Sequence, residues 1–169
     1  MPMIITNASA SFTRPNNTTA YATGGLVANS TTAGSVVPMQ FNLGSTGAFG
    51  NFRCVRARIS KSGTVATNAT FRLHLYTQAP VCTNGDGAAW LTSKAANWVG
   101  NIDVASMLAF SDGCTGTGSL PSGSEAFLNF TNNTGTSPTF LYGLLAALGA
   151  YTPVANEIFT TTLEMVDAW

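Results

Sequence analysis

The chain is 169 residues long, the usual size of one domain, and it has only seven basic side chains, seven acidic side chains and one histidine. Charged residues make up 8% of the chain, against about 25% in an ordinary soluble domain, so acid–base catalysis and metal binding have few candidate groups. A net charge of zero also gives little repulsion between molecules, and we expect a protein that packs against other protein.

The first seventeen residues have no clear hydrophobic period and contain Pro2 and Pro15. They predict an N-terminal arm over 1–17 that becomes ordered on a partner, followed by a single domain over 18–169. The longest apolar run, 140–151, is too short for the roughly 20 residues that span a bilayer, so we expect no membrane contact.

Short alternating runs separated by turn residues dominate the rest of the chain, which is typical of an all-β fold. About eight strands without a helical interlude predict an antiparallel two-sheet sandwich, similar to a jelly roll. The candidate strands, in chain order, are Thr18–Thr23, Leu26–Asn29, Val36–Asn42, Phe52–Ser60, Phe71–Tyr76, Val99–Val104, Glu125–Thr131, Thr139–Ala147 and Ile158–Val166.

The runs 52–60 and 71–76 predict an antiparallel pair with one apolar and one polar face. In the first run, Arg53, Val55, Ala57 and Ile59 are expected on one face. The pair would place four basic side chains together on its polar face: Arg56, Arg58, Arg72 and His74. Such a patch can bind phosphate or nucleic acid. Because the chain is neutral, we favour ion pairs with Glu164, with Asp167 or with a carboxylate of a partner subunit, and of these we expect the partner's carboxylate.

Two stretches, Val81–Ala89 and Ser111–Ser124, are rich in glycine and predict long loops. Cys82 and Cys114 lie in them and could form a disulfide, but free thiols are the default for three cysteines without an export signal. A helix of one or two turns is compatible with the sequence between 88 and 97.

Candidate catalytic groups are scarce. His74 lies between Leu73 and Leu75, so we interpret it as a hydrogen-bonded side chain on the polar face of a strand rather than as a general base. The acidic residues are dispersed, and Asn84-Gly-Asp86 is typical of a turn rather than of a Ca²⁺ site. The sequence therefore predicts no enzyme, no metal site and no cofactor, although a hydrolase with two carboxylates brought together by folding stays open.

Four segments carry a resemblance to a known class of protein. They are the run Thr19–Thr32, the strand Arg53–Lys61, Phe71–Tyr76 with Ala79-Pro80, and Tyr142–Leu145. Together they resemble small structural proteins encoded near the head genes of tailed bacteriophages, namely auxiliary capsid (decoration or cement) proteins with a β-sandwich or jelly-roll body.

The resemblance implies a virion protein, made in the host cytoplasm, that sits on the outside of the head as a homotrimer. Its partner would be the major capsid protein, and it would bridge neighbouring subunits and so stabilise the expanded shell, without direct contact to nucleic acid. The residues expected to make these contacts are Ile4, Ile5, Phe12, Arg14, Arg56, Arg58, Arg72 and Trp169.

A rival hypothesis is a carbohydrate-binding or receptor-binding module of a phage tail or head fibre. Trp90 and Trp98 lie near the long loops, and exposed indole rings can stack against sugar rings.

Overall fold

The computed structural model describes residues 5–43, 51–90, 96–120 and 140–168, with the side chains of 5, 6, 51–53, 167 and 168 left aside. The strands within this part of the chain are β1 (Ile5–Thr13), β2 (Leu26–Val27), β3 (Met39–Asn42), β4 (Asn51–Lys61), β5 (Phe71–Tyr76), β6 (Trp98–Val104), β7 (Leu108–Phe110), β8 (Gly113–Ser119), β9 (Phe140–Ala147) and β10 (Ile158–Ala168).

The strands form two antiparallel sheets that pack face to face. The first sheet has the order β1-β10-β4-β8-β7, and the second has the order β2-β9-β5-β6, with β3 also paired to β9. This arrangement confirms the predicted all-β, jelly-roll-like sandwich. No helix in the described part of the chain has the length and apolar character needed to cross a membrane.

The core lies between the two sheets and is built from alternate residues of each strand. On β5, Phe71, Leu73 and Leu75 point inward and are fully buried, as the alternation predicts. The Phe71 ring packs edge-on against Phe159 of β10, with 5.3 Å between ring centroids. Burial of each such side chain contributes about 1.5–3 kcal/mol, so these facing residues hold the two sheets together.

The predicted pairing of 52–60 with 71–76 is wrong, because β4 and β5 belong to different sheets. The connection between Lys61 and Phe71 is long enough to cross from one sheet to the other. As a result, Arg72 and His74 lie on the second sheet and the basic side chains of β4 lie on the first. The predicted four-residue basic patch does not form.

Strand β4 also contains a bulge that changes which side chains face the core. Glu164 pairs with Arg56, whereas Met165 pairs with Cys54, so Val55 is an extra residue on β4. Cys54 and Ala57 are therefore both buried, and Val55 is exposed. The prediction that Val55 shares a face with Ala57 is wrong for this reason.

The stretch Ser111–Ser124 was predicted as a loop, but Gly113–Ser119 is strand β8, paired with β4 on one side and β7 on the other. Gly116 and Gly118 face inward, where a Cβ at Gly118 would run into the backbone of Asp103 on β6. Glycine is thus present because two backbones approach closely, not because the chain turns.

Strand β1 places residues 5–13 of the N-terminal segment in the first sheet, where it pairs with β10 along its whole length. The expected strand Thr18–Thr23 is instead irregular chain that buries Tyr21, and the backbone N–H of Tyr21 donates to the carbonyl of Tyr151 (2.8 Å). The expected strand Glu125–Thr131 lies outside the described residues. The division into an arm over 1–17 and a domain over 18–169 stays a prediction.

Candidate functional site

The outward face of the first sheet is covered mainly by hydroxyl groups, and we call it the hydroxyl face. Side chains that alternate with the core residues form rungs across β1, β10, β4 and β8. Two rungs contain Ser11, Thr160, Ser60 and Thr115, and Ser9, Thr162, Arg58 and Thr117. Neighbouring hydroxyls bond to each other, with 2.8 Å between Ser9 and Thr162 and 2.9 Å between Ser60 and Thr115. The result is an ordered, weakly polar surface.

Little net charge remains on this face. Arg56 donates two hydrogen bonds to the Glu164 carboxylate, each 2.9 Å long, so the two charges neutralise each other. Glu164 is one of the three partners that the sequence offered for this patch, and the expected partner, a carboxylate of another subunit, is not the one that Arg56 uses here. Arg58 is exposed, and it forms no ion pair with another described residue.

The hydroxyl face ends at β7, whose residues Leu108–Phe110 are all exposed; we call this strand the β7 edge. Leu108 is 66% exposed and Phe110 is 53% exposed. On its outer side β7 pairs with no other described strand. Unpaired backbone groups beside exposed apolar side chains favour association with another chain.

A cavity of about 460 Å³ lies on the outward face of the second sheet, and we call it the indole pocket. Strands β5 and β6 place its polar and aromatic side chains side by side, since His74 pairs with Asn101 and Tyr76 pairs with Trp98. The residues that define it are Arg72, His74, Tyr76, Trp90, Trp98 and Asn101. In the sequence, the only sign that Trp90 and Trp98 lie in one site is that both occur near the same long loop.

One carboxylate, that of Asp103, holds the side chains of Arg72 and Asn101 in place. Arg72 donates from Nε and Nη2 to the two oxygens of Asp103, both at 2.7 Å, and Asn101 donates to the same carboxylate at 3.1 Å. The hydrogen bond from Arg72 lowers the pKa of Asp103 below its usual value. The structure thus places Arg72 in a local ion pair on the second sheet.

His74 is partly buried in this pocket on the polar face of β5, as predicted. Desolvation lowers its pKa to about 4, helped by the positive charge of Arg72 and opposed by Asp103. Its imidazole is therefore neutral at neutral pH. No other described residue forms a hydrogen bond with the His74 side chain. The hydrogen bond expected from the sequence is therefore not found within the described residues.

Arg14 was predicted to contact a partner, but it is buried inside the sandwich. Its guanidinium donates to Asp86 at 2.8 Å and to the hydroxyl of Tyr21. Tyr21 in turn donates to Asp86 at 2.5 Å, and burial raises the pKa of the Tyr21 phenol. A buried side chain with these partners does not form an outer contact.

A second buried ion pair joins Lys61 to Glu157, with 3.0 Å between Nζ and Oε1. Glu157 also accepts a hydrogen bond of 2.5 Å from Tyr151. The Tyr151 ring stacks on Tyr21 with 6.2 Å between centroids, so the two ion pairs lie close together in the core. We call these residues the ionic core: Arg14, Tyr21, Lys61, Asp86, Tyr151 and Glu157.

The remaining predicted contact residues are placed as follows. Phe12 is partly buried and stacks on Phe159, with 5.5 Å between centroids. Ile5 begins β1, paired with Val166, and its side chain is not among those described. Ile4 and Trp169 lie outside the described residues.

Cys54 and Cys114 are buried thiols in the core. Cys114 is a free thiol, so it forms no disulfide with Cys82. This agrees with the expectation of free thiols. Burial raises the pKa of Cys54 to about 12, so this thiol is unreactive at neutral pH. Within the described residues, no group of three or more His, Cys, Asp or Glu side chains has a geometry that could hold a metal ion.

Three comparisons relate the chain to known proteins. No protein-family model matches it, and no curated protein matches it. Among solved structures, a decameric BFDV capsid protein aligns over 99% of this chain and 100% of its own, with 13% identity and a TM-score of 0.40. A 60-mer of BFDV capsid protein aligns over 98% of this chain and 93% of its own, with 12% identity and a TM-score of 0.39. Cocksfoot mottle virus aligns over 98% of this chain and 83% of its own, with 9% identity and a TM-score of 0.32.

Proposed function

We propose that this chain is a non-enzymatic structural protein of a virion, an auxiliary capsid protein that binds the outside of a bacteriophage head. In this role it bridges major capsid subunits and stabilises the expanded shell. The observation that carries the proposal is the β7 edge, where Leu108 and Phe110 are exposed beside an unpaired strand edge and next to the hydroxyl face.

Each part of this surface suits a contact with protein. Burying Leu108 and Phe110 removes apolar area from water, and the open side of β7 can add a strand from a neighbouring subunit. Serine and threonine side chains lose little rotamer freedom when they become ordered, so a hydroxyl face forms hydrogen bonds at low entropic cost. The exposed charges of Arg56 and Glu164 are already paired on this face, so burying them costs less than burying two unpaired charges.

The expected partners are the major capsid protein and further copies of this chain, arranged as a trimer. Many copies on a symmetric shell bind by avidity, so each contact can be weak. A protein that binds only the expanded lattice shifts the equilibrium toward that state by mass action. The resemblance of the sequence to decoration and cement proteins supports the same role and the same position on the virion surface.

A direct test is co-sedimentation of the full chain with heads of the phage that encodes it, prepared without this protein in expanded and unexpanded forms. We expect binding to expanded heads, and we expect Leu108→Lys with Phe110→Lys to weaken it at least about tenfold because two charges would have to be desolvated.

The matched control is Val65→Lys with Val81→Lys, which adds the same charge at valines outside β7 that are 51% and 70% exposed. This variant should bind like the unmodified chain. Failure of the unmodified chain to bind expanded heads would overturn the proposal, and equal binding by both double variants would overturn the role of the β7 edge.

A further inference from the structure

The indole pocket is separate from the surface proposed above to contact the capsid. It lies on the second sheet, whereas β7 is the edge strand of the first sheet. Its volume of about 460 Å³ falls within the range of roughly 300–1,000 Å³ that small-molecule sites occupy. Nothing in a purely mechanical role requires such a cavity.

Aromatic rings form much of its wall. Trp98 is 44% exposed at the start of β6, and Trp90 lies beside Tyr76 with 6.1 Å between ring centroids. The Trp90 indole N–H donates to the Tyr76 hydroxyl at 2.8 Å, which fixes the Trp90 ring and satisfies its polar atom. Trp98 therefore offers an accessible flat apolar surface beside a rigid second ring.

Polar groups stand next to these rings in a fixed arrangement. Arg72 uses Nε and Nη2 to bind Asp103, so its two Nη1 hydrogens remain available to a ligand. Asn101 is anchored to the same carboxylate through Nδ2 and keeps its amide oxygen as an acceptor. His74, as a neutral imidazole, adds one donor and one acceptor.

These groups add no net charge to the pocket. The charge of Arg72 is balanced by Asp103 at 2.7 Å, and His74 stays neutral because desolvation and Arg72 lower its pKa to about 4. A charged ligand would lose hydration in the pocket without meeting an unpaired counter-charge, so charge weakens its binding. A neutral ligand with an apolar face and a rim of hydroxyl groups fits both the rings and the polar groups.

We propose that the indole pocket is a binding site for neutral saccharides, with a pyranose ring against the Trp98 indole and its hydroxyl groups bonded to Arg72, His74 and Asn101. Planar side chains held by a shared carboxylate present paired donors and acceptors, which match adjacent hydroxyls on a sugar ring. The site would give a virion-surface protein an affinity for glycans in addition to its contact with the shell.

The test is a titration of the full-length, ¹⁵N-labelled chain with methyl glycosides of glucose, galactose, mannose and N-acetylglucosamine, followed through the indole N–H signals. We expect at least one neutral glycoside to shift the Trp98 and Trp90 signals with a dissociation constant in the millimolar range, about that of one ring in an open site. Glucuronic acid tests charge, and it should bind at least tenfold more weakly than the best neutral glycoside.

Trp98→Ala should weaken binding of that glycoside at least tenfold, as followed by the Trp90 signal. The control is Val65→Ala, at an exposed residue that does not line the pocket, and it should leave the binding unchanged.

No indole shift with any neutral glycoside up to about 100 mM would overturn the site. Equal binding of glucuronic acid would overturn its preference for neutral ligands. Saturation of the pocket by a side chain of a second copy, seen as concentration-dependent indole shifts without sugar, would also overturn it. None of these outcomes depends on binding to heads.

Discussion

His74 is the residue whose charge state the fold changes most clearly near neutral pH. Desolvation in the indole pocket lowers its pKa to about 4, below the roughly 6.5 of an unfolded chain. Between these values the unfolded chain binds the proton and the folded chain does not. The contribution of His74 to the free energy of unfolding is therefore fully present above pH 6.5, and it is lost as the pH falls toward 4.

We expect the unfolding free energy of the unmodified chain to fall by about 2 to 3 kcal/mol more than that of His74→Gln between pH 6.5 and pH 4. Urea unfolding of both proteins at half-unit pH steps measures this difference. Parallel curves for the two proteins would show that His74 titrates normally in the folded state.

Single residues were predictable only in part. Glu164 was among the partners that the sequence offered for Arg56, but the choice between them depends on β10 lying beside β4, which the sequence did not indicate. The burial of Arg14 was not predictable, because its partner Asp86 is 72 positions away in a glycine-rich loop. The sequence marks that loop as a turn, but it gives no sign that the carboxylate points into the core.

Elements are joined most strongly through the ionic core. Asp86, in the loop after β5, accepts hydrogen bonds from Arg14, from Tyr21 and from the backbone N–H of Ala28. Asp86→Asn removes the charge that balances a buried guanidinium, and we expect a loss of about 3–5 kcal/mol of unfolding free energy. Denaturant unfolding measures it.

Glu164→Gln is the matched control, because it makes the same chemical change in the partly exposed pair with Arg56. A surface pair contributes about 0–1 kcal/mol, so this variant should unfold close to the unmodified chain. Equal losses in the two variants would contradict a structural role for the buried pair.

Strands were predictable where the alternation is unbroken. The run Phe71–Tyr76 agrees with β5, because its apolar residues recur with a period of two. The expected run ending at Ala147 agrees with β9, which is a continuous apolar strand buried in the sheet. Two features were hidden. The bulge at Val55 shifts the phase of β4, and the glycines of β8 make a strand look like a loop. In β8, threonine does alternate with glycine, which was the available signal.

Which strands pair was the least predictable property. The connection between β4 and β5 has the composition of a hairpin turn, yet it crosses between the sheets. Pairing depends on which faces are buried together, and several arrangements bury the same residues. The indole pocket was missed for that reason: its side chains converge only after β5 pairs with β6.

At the scale of the whole molecule, the near-neutral contact surface predicts weak dependence on salt. Because Arg56 is already paired with Glu164 on this surface, we expect head binding to change less than about threefold between about 50 and 500 mM NaCl. Co-sedimentation across this range measures it. A steep loss of binding with salt would instead favour a contact made by exposed arginines such as Arg58.

The ionic core takes two basic and two acidic side chains into the interior, which leaves five of each sign for the rest of the chain. Electrostatic energy between adjacent copies therefore does not build up as a lattice fills. The affinity of a highly charged protein for the shell would fall as neighbouring positions fill, because the bound copies repel the next one. For this protein we expect the affinity of the last positions to equal that of the first.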